Sequence, residues 1–356
     1  MMQFIRTYLD MGLSVKFWPE NLAYDPEYTP ALQQLSVEVF YGAEYKGKFA
    51  TWIQENGQDL DYVLLSRPHI ALGFIDHIKK HSRAKLLFYG HDVHHLRLQD
   101  QRRISPDAPD LARAEAEARD AEHRVWSSVD VIYYPSTSEV AYVADYIATQ
   151  DGSARARLAQ PYYFDMRPAI APNLPAQRRD LVFVAGFAHP PNIDAACWFC
   201  AEVMPLLLAE HPDLKLWLVG SSPSDAVKAL SGPNVEVTGF VSDLRLADHY
   251  ARARVAVAPL RFGAGVKSKV IEAIANGVPT VTTSVGYQGM PEVTDLLAPA
   301  DNPTDLAVTI ARLLRDDDWW LHWHAIGIDY VGRHFSRDAM RRSLDLSDLF
   351  EVSTVA

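Results

Sequence analysis

The sequence has two cysteines in 356 residues, no excess of basic residues, and no run of the roughly 18 apolar residues that a membrane-spanning helix needs. The cysteines, Cys197 and Cys200, stand three apart inside the apolar run 195–201. A redox pair of that spacing opens a helix beside a strand; here it lies in the middle of a predicted helix, the position of buried core thiols. The net charge of -11 is spread over both halves and argues against nucleic acid as a partner. Basic residues cluster only in small groups, Arg102-Arg103 and Lys79-Lys80-Arg83-Lys85, too few to dock the chain on an anionic membrane by themselves. The N-terminus lacks a basic-then-apolar signal region, which predicts a cytoplasmic protein. No short internal repeat and no low-complexity segment is visible.

What remains is a chain 48% hydrophobic and 22% charged, long enough for two domain cores. Strand-like runs alternate with amphipathic stretches, the pattern of parallel-sheet α/β domains. The expected strands are 14–18, 37–40, 61–65, 85–89 and 129–134 in the first half, and 180–185, 214–219, 235–238, 255–258 and 280–283 in the second. Between Pro161 and Arg179 the pattern breaks into Pro161, Pro168, Pro172 and Pro175, the composition of a linker. The expected organisation is a first domain over 1–172, a second over 173–335 and a C-terminal helix over 336–356 that packs back on the first, with Met340, Leu344 and Leu349 on one side. The stretch 111–127 predicts a long helix whose alternating charges read as a solvated face. One element is missing from the pattern. The chain opens on an amphipathic helix over 2–12, whereas a doubly wound domain begins with a strand at the centre of its sheet.

Residues 258–283 carry the clearest chemistry. They read strand, glycine turn, helix, glycine stop, strand, with Gly263-Ala-Gly-Val-Lys-Ser-Lys269 as the turn. Gly263 and Gly265 let the backbone approach a ligand closely, and the amides that open the following helix suit an anion. Lys267 and Lys269 add positive charge at a helix end that already carries it, a conflict that a bound phosphate relieves. Glu272, one turn on, can accept hydrogen bonds from both hydroxyls of a ribose. Each feature alone is weak; in this order they predict a nucleotide-phosphate site.

With these motifs in view, residues 180–335 resemble the C-terminal domain of the family 4 (group 1) glycosyltransferases. Residues 183–192 look like that family's first strand and glycine loop, 217–220 like its second strand, and 237–243 like its G-x-V-x-D turn. The resemblance implies a GT-B fold, two Rossmann-like doubly wound α/β domains facing a cleft, the N-terminal one lacking its first strand. It implies a retaining transfer of a hexose from a nucleotide-diphosphate sugar to a glycan or lipid-linked acceptor, without a metal or other cofactor. The family's usual products add peripheral contact with the inner face of a membrane. By the same resemblance Gly263, Ala264, Gly265 and Val266 line the diphosphate, Phe240 and Val241 meet the base, Glu272 holds the ribose, and Gly186 belongs to the donor site. The sequence departs from the family at two points. Ala264 stands where the first of a pair of glutamates falls, and the Arg and Lys that often follow the first strand are replaced by Phe, His and Pro. The diphosphate charge is therefore assigned to Lys267 or Lys269, with Lys269 preferred.

In the first half the strand ending at Tyr89 runs into Gly90-His-Asp-Val-His94. A polar cluster past a strand's carboxyl end is where an open α/β sheet places its ligand. The histidines do not have a zinc-motif spacing, and a capped helix start with surface histidines accounts for the same residues. In the family a His-Asp here faces the transferred sugar, which makes His91 and Asp92 catalytic candidates and His94 an acceptor-side one. Ser136 and Glu139 resemble the family's S-x-x-E; a turn with an N-cap explains them equally. Trp319, Trp320 and Trp323 stand at helical spacing and read as packing in preference to sugar stacking. Three other readings stay open: a different GT-B enzyme such as a nucleotide-sugar epimerase or a phosphorylase, a non-catalytic glycosyltransferase-like module, and a true start upstream of Met1 that restores about thirty residues of strand and loop.

Overall fold

The structure is a computed structural model in which residues 1–104, 110–164, 175–263 and 265–347 are described. The chain divides into two compact units, Met1–Tyr163 with Arg337–Ala356, and Phe164–Ser336. The expected junction at 172/173 and the expected contact of Leu349 lie outside the described residues.

In the first unit the order is α1 (Met2–Asp10), β1 (Lys16–Phe17), α2 (Tyr28–Gln34), β2 (Glu38–Val39), α3 (Phe49–Asn56), β3 (Tyr62–Ser66) and α4 (Pro68–His81). There follow β4 (Lys85–Tyr89), α5 (His94–Ile104), α6 (Leu111–Trp126), β5 (Val131–Tyr134), α7 (Thr137–Thr149) and β6 (Arg155–Leu158). The second unit runs β7 (Arg179–Val184), α8 (Pro190–Trp198), α9 (Met204–Glu210), β8 (Leu216–Val219), α10 (Asp225–Lys228) and β9 (Val235–Gly239). It ends with α11 (Asp243–Arg252), β10 (Ala253–Ala258), α12 (Ser268–Ala275), β11 (Thr280–Thr282), α13 (Pro303–Arg315) and α14 (Asp317–His334). Helix α15 (Arg337–Ser343) returns to the first unit.

All strand pairs are parallel, with orders β1-β2 and β3-β4-β5-β6 in the first unit and β11-β10-β7-β8-β9 in the second. Strands sandwiched between helices lose water on both faces, so apolar residues dominate them, and every residue of β5 and β10 is buried, Arg254 included. In β4, Leu86 and Phe88 face a core with Ile75, Ile78, Val125 and Trp126 from α4 and α6. Leu87 and Tyr89 point the other way, onto Phe4 and Tyr8 of α1 and Met340 of α15. Strand β6 was not expected: its arginines at 155 and 157 interrupt the apolar pattern, as an edge position allows. Among the described residues no ladder joins β1 to β3, a break at the place a leading central strand occupies in a doubly wound sheet.

Two readings of surface and membrane character change. Helix α6 is not simply a solvated face, because Glu115 and Glu122 are buried. The continuous helical stretch 190–210 has the length and mean hydropathy, 1.3, of a membrane span. Its Ala195, Ala196, Phe199, Val203, Met204 and Leu207 are nonetheless buried in the core of the second unit against Leu181, Phe183, Leu216 and Leu218. Cys197 and Cys200 are half-buried there, and burial pushes the Cys200 thiol up to about 12. The tryptophans of α14 are packing residues: Trp320 is fully buried, donates from Nε1 to the Arg254 carbonyl at 2.7 Å and stacks on His324, while Trp319 and Trp323 pack partly buried against the core.

Candidate functional site

In the second unit the sheet starts at β7, grows through β8 to β9, and then returns to place β10 on the other side of β7. The loops after β7 and β10 therefore leave the sheet in opposite directions and open a crevice between them, the usual ligand position of such sheets. Register brings the strand ends level, with Val184 paired to Val219 and Ala258 to Thr282. The loop after β7 carries Gly186; the loop after β10 carries Gly263, Gly265 and Val266, while Ala264 lies outside the described residues.

Gly263 has φ +135, a conformation that side chains rarely adopt, and a Cβ there would meet Pro191 at 3.8 Å and the Lys267 stem at 3.6 Å. The turn thus lies against the start of α8. Lys267, 8% exposed, turns its ammonium back to the carbonyls of Gly265 (2.5 Å) and Gly263 (3.4 Å), so that it braces the turn. Lys269 points elsewhere. Its ammonium donates to Asn192 Oδ1 at 2.5 Å, and Asn192 Nδ2 donates to the Gly186 carbonyl at 2.8 Å. Among the described residues no carboxylate forms a salt bridge with Lys269, and burial pulls its pKa down to about 8. His189, at the N-cap of α8, is held below its usual value by partial burial and by Lys269 and Lys267. No acidic residue stands in the first turn of α12, and the amides of Ser268 and Lys269 have no partner within that helix. A pair of lysines, open helix amides and a glycine turn form a site for a polyanion.

Glu272 lies one turn along α12, half-buried. Burial and the nearby Asp243 raise its pKa, which places it beside the start of α11. Phe240, 82% exposed, and the half-buried Val241 form the turn that leads into α11. The anion site, an acceptor for hydroxyls and an exposed aromatic thus follow one another along this edge.

In the first unit β3, β4 and β5 end in register, Ser66 paired with Tyr89 and Tyr89 with Tyr133. Gly90 follows directly, and a Cβ on it would lie 2.2 Å from the Tyr134 ring, which accounts for a glycine ahead of His91. His91 Nε2 meets Ser66 Oγ at 3.0 Å; partial burial and Arg67 lower its pKa, so the ring is neutral at pH 7. Asp92 is clasped by His94 Nε2 (3.0 Å) and Arg97 Nε (2.6 Å). Burial works to raise the Asp92 pKa, but these two hydrogen bonds outweigh it and hold the carboxyl below its usual range. The same contact raises the pKa of His94.

The backbone after Asp92 is held by two carboxylates. Glu139 Oε1 accepts from the Val93 amide at 2.9 Å, and Glu122 accepts from the amides of His94 (2.7 Å) and His95 (3.2 Å) and from His95 Nδ1 (2.6 Å). Glu139 therefore supports the His91-Asp92 loop. Ser136, buried at the N-cap position of α7, makes no capping bond; its hydroxyl meets Ser138 at 2.8 Å. Glu122, Asn192, Ser66 and Arg67 are the residues that motif reading missed. Arg67 has φ +65, an uncommon backbone for a residue other than glycine, at the carboxyl end of β3. Among the described residues no three His, Cys, Asp or Glu side chains gather as a metal ligand set.

Both units are thus parallel α/β layers whose polar residues collect at the carboxyl ends of the strands, the arrangement of nucleotide-binding folds. Residues 178–316 match the family Glycosyl transferases group 1. A curated relative is an uncharacterised 44.6 kDa protein in the cps region of Klebsiella pneumoniae, 28% identical over 117 residues, 31% of this chain and 30% of that protein. Among solved structures the chain resembles Anabaena HepE in complex with UDP and glucose, with a TM-score of 0.63, 15% identity, and coverage of 96% of this chain and 93% of that one. It also resembles a UDP-forming α,α-trehalose-phosphate synthase from Burkholderia vietnamiensis, with a TM-score of 0.63, 12% identity and coverage of 96% and 95%. Staphylococcus aureus TarM, in complex with fondaparinux, α-GlcNAc-glycerol and UDP, matches with a TM-score of 0.58 and 12% identity over 83% of this chain, which spans 57% of that one. The shared fold is GT-B.

Proposed function

We propose that the protein is a retaining glycosyltransferase that moves a hexose from a nucleotide-diphosphate sugar to a glycan or lipid-linked acceptor in polysaccharide or glycolipid synthesis. The observation that carries this reading is Lys269, a half-buried ammonium with no carboxylate salt bridge among the described residues, set beside a glycine turn with Glu272 one turn away. A partly desolvated cation is stabilised when an anion arrives, and the anion that fits a turn followed by a ribose acceptor is a nucleoside diphosphate. Departure of that diphosphate is the demanding step. Lys269 and the first amides of α12 stabilise the charge that develops on it, so that no metal ion is called for. His91, neutral at pH 7, and Asp92 stand on the acceptor side as groups that contact the sugar. The group 1 resemblance supports retention, by front-face attack on the anomeric carbon. Because HepE and TarM are in complexes with UDP, UDP-sugars are the first donors to test. In this reading the protein works in the cytoplasm, with peripheral contact at the inner membrane face.

Transfer from radiolabelled UDP-glucose and related donors to membrane-extracted acceptors tests the proposal. Lys269→Ala and Glu272→Ala are each expected to lower transfer at least tenfold. Rates within about twofold of the parent would remove the donor-site assignment, and UDP binding without any transfer would favour a non-catalytic module.

A further inference from the structure

Lysine carries its charge on a flexible four-carbon stem, and an ammonium useful in catalysis has to be held where charge develops. In this protein the holding group is an amide on another element. Asn192 is 5% exposed, in the first turn of α8, and 77 residues from Lys269. Its orientation is determined by its partners: the Gly186 carbonyl can only accept and the Lys269 ammonium can only donate, so Nδ2 must face the first and Oδ1 the second. A flipped amide would lose both bonds. Helix α8 is itself fixed to the loop after β10, because the Arg261 guanidinium forms a two-point ion pair with Asp194 and lies 5.4 Å over the Trp198 ring.

We propose that Asn192 is the positioning residue that aims the Lys269 ammonium at the diphosphate of the donor, an inference that rests on the donor-site reading above. An amide oxygen suits this task better than a carboxylate. It takes one of the three ammonium protons and fixes the stem, but leaves the positive charge uncompensated for the ligand. An aspartate at 192 would form an ion pair with Lys269 and add a negative charge facing the diphosphate. The other titratable groups around the ammonium are Lys267, which repels cations and favours an anion, His189, which partial burial and the two lysines keep neutral, and Glu272 one turn further along α12. The same amide also joins the glycine loop after β7 to α12, so the two sides of the crevice share one anchoring point in Asn192.

The test uses the full chain with UDP and inorganic pyrophosphate as probes in titration calorimetry, and with lysines carrying ¹³C-dimethyl labels for NMR. The Lys269 resonance is assigned by its loss in Lys269→Arg. Asn192→Asp, of the same shape as the parent side chain, is expected to weaken both probes about tenfold or more and to move the Lys269 titration to higher pH. Asn192→Ala is expected to weaken them by about threefold to tenfold and to broaden the Lys269 signal. Should Asn192→Ala fail to fold, Asn192→Asp carries the test. Probe affinities within twofold of the parent in both variants, or an unchanged Lys269 titration in Asn192→Asp, overturn the inference. If Lys269→Ala itself leaves UDP affinity unchanged, the donor-site reading fails instead, which separates the two failures.

Discussion

Glu122 holds His95 at two points, accepting from its backbone amide at 3.2 Å and from its ring Nδ1 at 2.6 Å, with both side chains buried. A third bond, from the His94 amide, completes an acidic cap at the start of α5. The His95 Nε2 in turn meets the Tyr142 hydroxyl at 2.8 Å.

Removing that carboxylate strands three donors, two of them backbone amides, beside a buried imidazole. Glu122→Ala is therefore expected to destabilise the protein by about 3 kcal/mol, measured by urea unfolding followed at the tryptophans. Glu122→Gln keeps one acceptor and should lose less. A change below about 1 kcal/mol in Glu122→Ala would show that the cap is not what holds the loop of His91 and Asp92.

The Lys269 pKa of about 8 places its titration within reach of ordinary buffers. Burial lowers the value because the charged form is poorly solvated; a bound diphosphate supplies the missing negative charge and raises it. UDP affinity should then be level below pH 7 to 8 and fall above it, by at most about tenfold per pH unit, with proton uptake on binding near pH 8. Calorimetry in buffers of different ionisation enthalpy reads both effects. In Lys269→Met the fall and the proton uptake should disappear.

Glu272 and Lys269 are expected to separate by ligand. Glu272→Ala loses hydrogen bonds to hydroxyls, so UDP should bind about tenfold to a hundredfold more weakly while pyrophosphate, which has no ribose, is unaffected. Lys269→Ala should weaken both. Equal losses of both probes in Glu272→Ala would place that residue among the phosphate contacts and remove its ribose role.

Much of the second unit was legible in the chain because its signals are local. The five strand runs, the Gly263 turn and the start of α12 are each specified by residues within a few positions of one another, and the strands observed differ from those expected by one or two residues. The first unit was less legible. Strands β1 and β2 are only two residues long, shorter than the apolar runs that suggested them, and the arginines in β6 hid an edge strand. Helix α6 misled for a related reason: its charges alternate as on a solvated face, yet Glu122 turns inward because α5 supplies donors for it.

The sequence by itself determined the class of fold, the parallel character of the sheets and the nature of the 263–272 segment, because hydrophobic period, glycine and helix-end signals act over one or two turns. Only the tertiary structure decided which polar groups work as pairs. Asn192 with Lys269 and Glu122 with His95 are 77 and 27 residues apart, and nothing near either position in the chain announces its partner. A buried charge or amide is tolerated where the fold brings it a complement, and that complement is chosen by strand order and helix packing, which no local pattern encodes.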